Sequence, residues 1–162
     1  MLSLPCTAYD RILLCLSLVF LTLFWPFLSF QIHPSLEKVK EARFEEVELS
    51  KYLLKKGDLL ICEGGDVGRC AVWEQNTTMY YQNALHRVRF YQSINPYFYK
   101  YLIECYKGVG IIDKFSKGVT IKHLVQNSLN AMWLHLPPIA EQKRIVDRLE
   151  ELLPLCEKLK HF

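Results

Sequence analysis

Six cysteines sit at positions 6, 15, 62, 70, 105 and 156, and no two form a CxxC pair. A structural zinc site needs paired ligands at short spacing, so that class is excluded. The expectation instead is reduced cysteine, with Cys105 and Cys156 on apolar helix faces. The chain also lacks HExxH, GxSxG, a phosphate-cradling glycine–lysine loop and any paired carboxylates at catalytic spacing. The Gly64-Gly65-Asp66 segment has neither the lysine nor the length of a phosphate loop and reads as a hairpin turn. No catalytic constellation remains, and internal repeats and low-complexity tracts are also missing.

Charge of one sign is not abundant either: the chain of 162 residues carries a net charge of +3. Its distribution is uneven. Between Lys51 and His135 stand eleven Lys/Arg against six Asp/Glu. The C-terminal stretch offsets this with Glu141, Asp147, Glu150, Glu151 and Glu157. A mildly basic domain joined to a mixed-charge helix fits nucleic-acid binding combined with protein docking.

The coarse reading is α+β, strands first and helices after. Ser35 to Ala42 is a short polar helix or linker, and Glu45 to Lys56 is amphipathic, closed by a turn at Gly57. Asp58–Cys62 and Cys70–Trp73 read as a hairpin, and Ala84–Tyr91 as a further strand with Arg87 and Arg89 opposite Val88 and Phe90. Asn95 and Pro96 suit the start of a helix whose stripe is Phe98, Tyr101, Leu102 and Cys105. Gly108 and Gly110 end it. Lys114 to Lys122 reads as a basic loop, and Leu129 to Leu136 as a strand or extended run into Pro137-Pro138. The final helix carries Ile145, Leu149, Leu152, Cys156 and Leu159 at spacings of four, three, four and three, a heptad seam that asks for a second helix. Val146 and Leu153 widen the seam, and Pro154 is expected to bend the helix.

Nucleic-acid chemistry has more material than catalysis. Lys114, Lys117, Lys122 and His123 surround Gly118-Val119-Thr120: glycine admits close approach to a phosphate, Thr120 offers a hydroxyl, and the lysines neutralise charge. Arg69, Arg87 and Arg89 add groups able to pair bidentately with guanine. Tyr80, Tyr81 and Gln82 lie in a connection able to reach base edges.

Four blocks in order, GDLLICEGGDVGRCAVWE (57–74), NALHRVRF (83–90), GVTIKHL (118–124) and LPPIAEQKRIVDRLEELLPLCEKL (136–159), resemble the DNA-specificity subunit of type I restriction–modification enzymes. The resemblance runs from Glu45 to the C-terminus. It implies a partial target-recognition domain over 45–136 and a spacer helix over 137–162. It also implies a non-catalytic, cytoplasmic protein that binds one half of a split site in double-stranded DNA. The implied partners are methyltransferase subunits, a restriction/translocase subunit and a second specificity half paired through the helix. S-adenosylmethionine, ATP and magnesium would belong to those partners, with no cofactor in this chain.

Residues 1–44 stand apart. Residues 12–30 form an uncharged apolar run of nineteen residues, long enough to cross a bilayer, with Pro26 inside it. No small-residue cleavage pattern follows, so a cleaved signal is not expected. Three readings stand: a membrane anchor, a buried apolar helix, or non-native sequence fused to a truncated gene. The resemblance favours the third, because the family's domain has further strands before the GDLLI block. A rival function also stands, that of a membrane-anchored or degenerate fragment that docks partner subunits without reading DNA.

Overall fold

The computed structural model describes residues 46–82, 84–118 and 122–159. The apolar run 12–30 and the polar stretch 35–42 lie outside these, as does Thr120. In chain order the elements are α1 (Glu46–Tyr52), β1 (Leu59–Cys62), β2 (Cys70–Val72), β3 (Leu85–Val88), α2 (Pro96–Gly108), α3 (Ile111–Phe115), α4 (Gln126–Asn130) and α5 (Ile139–Leu159). The α+β class expected from the sequence is the class observed.

A three-stranded antiparallel sheet, ordered β2–β1–β3, organises the described residues. β1 is central: Leu59 pairs with Val72 and Val88, and Ile61 with Cys70 and His86. Strand side chains alternate, so Leu59 and Ile61 face one way and Leu60 the other. Both faces are covered. Leu59, Ile61, Cys70 and Val72 join Phe98, Leu102, Ile103 and Ile112 in the main core. Leu60 packs with Leu54 and Trp73 in a smaller cluster, fringed by Met79 and Tyr81. A central strand buried on both faces accounts for the unbroken apolar run LLIC. Left-handed backbone at Ala84 and Gln92 brackets β3, which is shorter than the strand expected over 84–91.

α2 begins as the sequence expects. The Asn95 side chain accepts a hydrogen bond from the Tyr97 amide at 3.0 Å, and Pro96 occupies the first turn. Phe98, Tyr101, Leu102 and Cys105 are buried, with Tyr99 and Ile103 beside them. On the same helix, Lys100 Nζ lies 3.5 Å from Glu104 and 4.6 Å from the centre of the Tyr101 ring. Burial pushes the Glu104 carboxyl up to about 7, against the pull of Lys100.

Two readings of local structure need correction. The start of the basic loop is helical: Lys114 lies in α3, because Ile112 is drawn into the core against Gly68. The stretch from Leu129 makes no strand in the described sheet. It ends the short helix α4 and then runs to Pro138 without regular secondary structure. Tyrosine hydroxyls of α2 hold this run in place: Tyr106 donates to the Trp133 carbonyl at 3.0 Å and Tyr99 to that of His135 at 3.4 Å.

α5 continues through Pro154 to Leu159, although Pro154 brings no amide hydrogen to the helix. Its beginning is fixed by a buried side chain. Gln142 is 1% exposed; its Oε1 accepts from the Asn95 amide at 3.0 Å and its Nε2 donates to the Pro137 carbonyl at 2.9 Å. One residue thus ties α5 to the N-terminus of α2. A second tie lies further along, where the Tyr101 hydroxyl donates to Glu150.

Candidate nucleic-acid interface

The tight turn between β1 and β2, the helix α3 and the segment around Lys117 and His123 meet at one end of the sheet. Three contacts assemble them. A side chain at Gly68 would meet Ile112 at 2.9 Å, and Gly68 has a φ of 77°, so only glycine lets α3 close on the turn. Lys117 and His123 exchange both backbone hydrogen bonds, at 2.9 and 2.8 Å, which closes the loop between them. The Leu124 amide then donates to the Glu63 carbonyl at 2.8 Å, fastening the loop to the end of β1. Leu124 is fully buried, and His86 on β3 hydrogen-bonds its carbonyl.

This assembly gathers Arg69, Lys114, Lys117, Gly118, Lys122 and His123, all exposed. Gly118 has a φ of 112°, a conformation that residues with side chains avoid. Lys107, which the sequence reading did not single out, joins from the end of α2 by an ion pair with Asp66 in the turn. Arg69 lies 3.9 Å from Asp66, and Lys122 lies 2.6 Å from Asp113. These pairs are solvent-exposed, and such pairs contribute only about 0–1 kcal/mol each. The cations are therefore readily available to phosphate. Lys114 and Lys117 form no ion pair among the described residues. Five cations against three carboxylates, Glu63, Asp66 and Asp113, make this end electropositive.

Arg87 and Arg89 are elsewhere. They lie on the Leu60 face of β3, toward the start of β1, and five strand residues put Asp58 roughly 16 Å from the Glu63 end. Arg89 donates from Nε to Asp58 Oδ1 at 2.7 Å, and from Nη2 to Asp58 Oδ2 at 2.6 Å and the Leu53 carbonyl at 3.0 Å. Arg87 donates to the same carbonyl at 2.8 Å and lies over the Tyr81 ring. These donors hold α1 to the sheet, so the two arginines are not presented with the basic end. Tyr81 packs in the smaller cluster and edge-on to Tyr52, while Gln82 is exposed.

The helix seam also divides. Ile145 and Leu149, with Val146 and Leu153, pack against the chain's own core. The heptad pattern therefore serves the domain over its first turns. Leu152 and Cys156 are half-buried, and Leu155 is exposed. The side chain of Leu159 lies outside the described residues.

No group of three His, Cys, Asp or Glu side chains among the described residues is arranged to hold a metal ion. Among those residues no helix is long and apolar enough to cross a membrane.

The described residues thus form a small sheet covered on both faces, with a basic, glycine-shaped end and a long C-terminal helix. Residues 27–161 match the family model of the type I restriction modification DNA specificity domain, and the chain belongs to that family. The match extends upstream of Glu45, into the apolar run 12–30. Among curated proteins, the chain is similar to one described as a putative type I restriction enzyme specificity subunit of Haemophilus influenzae. The two are 30% identical over 118 residues, which make up 72% of this chain and 29% of that protein. The chain thus spans less than a third of the length of that relative.

Proposed function

We propose that this chain is a non-catalytic DNA-binding module of a type I restriction–modification system, acting in the cytoplasm. Residues 45–136 contact one half-site in double-stranded DNA, and 137–162 begin the spacer helix. The observation that carries the reading is the convergence of Arg69, Lys114, Lys117, Lys122 and His123 on one end of the sheet. Backbone contacts there give affinity without sequence preference; base reading falls to neighbouring groups that no motif identifies. The outer part of α5, at half-buried Leu152 and exposed Leu155, is the portion offered to a methyltransferase subunit or to a second specificity half. Through those subunits the module would direct methylation and cleavage performed by its partners.

Duplex binding by the full chain tests this reading. Affinity should fall linearly on a log–log plot against salt, with a slope of about −0.9 per phosphate contacted. Binding to an added methyltransferase subunit with no duplex binding at any salt concentration would instead favour a docking fragment that does not read DNA.

A further inference from the structure

Gly64 stands between two turns of chain that the proposed DNA contact depends on. It is absent from the glycines with positive φ, which are Gly57, Gly65, Gly68, Gly110 and Gly118. A left-handed backbone therefore does not account for glycine there. Space does. A Cβ built on Gly64 meets His123 Cε1 and Nδ1, each at 3.1 Å, closer than side chains ordinarily approach. The neighbouring Gly65 has open space at the same point.

His123 is exposed and its ring can turn, but the residue itself is anchored. Its own backbone is paired with Lys117 in both directions. The next residue, Leu124, is buried, donates to the Glu63 carbonyl and accepts from His86. Glu63 in turn donates to the Ala84 carbonyl at 2.8 Å, so the anchor is continuous with β1 and β3. A side chain at 64 would thus take the space the ring now occupies and turn the ring away from the β1–β2 turn, while the anchored backbone stays in place.

We propose that Gly64 is a positioning residue for the basic loop. The absent side chain leaves the seat of the His123 ring, and that seat sets where the imidazole stands relative to Lys117, Lys122 and to Arg69 on the adjacent turn. The ligand is the sugar–phosphate backbone of duplex DNA, so the inference rests on the function proposed above. Each cation held in register releases counterions when it meets a phosphate, and a displaced one does not.

The test is a double-mutant cycle on the full chain with a mixed-sequence duplex. Gly64→Leu should weaken binding roughly tenfold near ~0.1 M salt and flatten the salt slope by about 1, the signature of one lost phosphate contact. Gly64→Ala should do the same to a smaller extent, and it carries the cycle if the leucine variant does not fold. In a His123→Ala background, which itself binds more weakly, neither Gly64 substitution should cost anything further. A change in melting temperature alone, with affinity and slope unaltered, would overturn the inference. So would an equal loss in both backgrounds. Absence of duplex binding by the unmodified chain would remove the underlying function and this inference with it. Binding by the unmodified chain together with indifference to Gly64 would sink the inference alone.

Discussion

Arg89 grips Asp58 through two parallel hydrogen bonds, Nε to Oδ1 at 2.7 Å and Nη2 to Oδ2 at 2.6 Å. Asp58 is 1% exposed and the Arg89 side chain 35%, so the carboxylate is the buried partner. Removing Arg89 leaves that charge uncompensated, which typically costs about 3–5 kcal/mol. Arg89→Ala should therefore lower the denaturant midpoint sharply. Arg89→Lys should recover only part of the loss, because a lysine cannot make the paired contact. If Arg89→Ala abolished duplex binding while leaving the unfolding curve in place, the arginine would belong to the DNA surface instead.

Lys114 and Lys117 make the opposite case. Both side chains are exposed and without an ion pair among the described residues, so neither side chain supports the fold. Alanine at each should leave the unfolding midpoint unmoved. Each substitution should reduce the salt slope of duplex binding by about 1 and weaken binding to all sequences alike. A sequence-dependent loss would show that these side chains reach base edges.

The two ends of the leucine pattern should separate experimentally. Leu149 packs on the main core, and an aspartate there buries a charge without a partner. Leu149→Asp should cost more than about 3 kcal/mol in chemical denaturation. Leu155 is 51% exposed, so Leu155→Asp combined with Leu152→Asp should perturb the fold far less. Co-purification with a methyltransferase subunit should be lost in the second variant. Retention of docking there would place the partner surface elsewhere.

Glu104 gives a pH prediction whose sign follows from linkage. Burial raises its carboxyl from the ordinary 4.5 to about 7, so the folded chain holds this proton more tightly than the unfolded chain. This contribution to stability is full below about 4.5, declines as pH rises toward about 7, and is level above that. Denaturation followed across that interval should show the decline, on the order of 3 kcal/mol, and Glu104→Gln should remove it. An identical profile in the glutamine variant would assign the pH dependence to other groups.

Much of the fold was legible in local sequence. The glycine turn, the LLIC strand, the Asn95-Pro96 helix start and the long terminal helix are each written in a few adjacent residues. Local backbone preference and burial period decide them. The basic end was legible as a charge cluster because Lys114, Lys117, Lys122 and His123 are close in the chain. Arg69 and Lys107 join it only through folding, as the turn closes on α3 and on the end of α2.

What the sequence by itself determined is therefore composition and period: a mildly basic α+β module with an apolar helical stripe and no assembled catalytic motif. Tertiary structure alone decided what each group faces. Strand register set Asp58 beside Arg89, two residues 31 positions apart, and turned an apparent base reader into a clamp on the sheet. Helix docking, fixed by Gln142, spent half of the heptad seam on the chain's own core. Both outcomes depend on contacts between distant segments, whose geometry is settled by packing and is not encoded in the spacing of neighbouring residues.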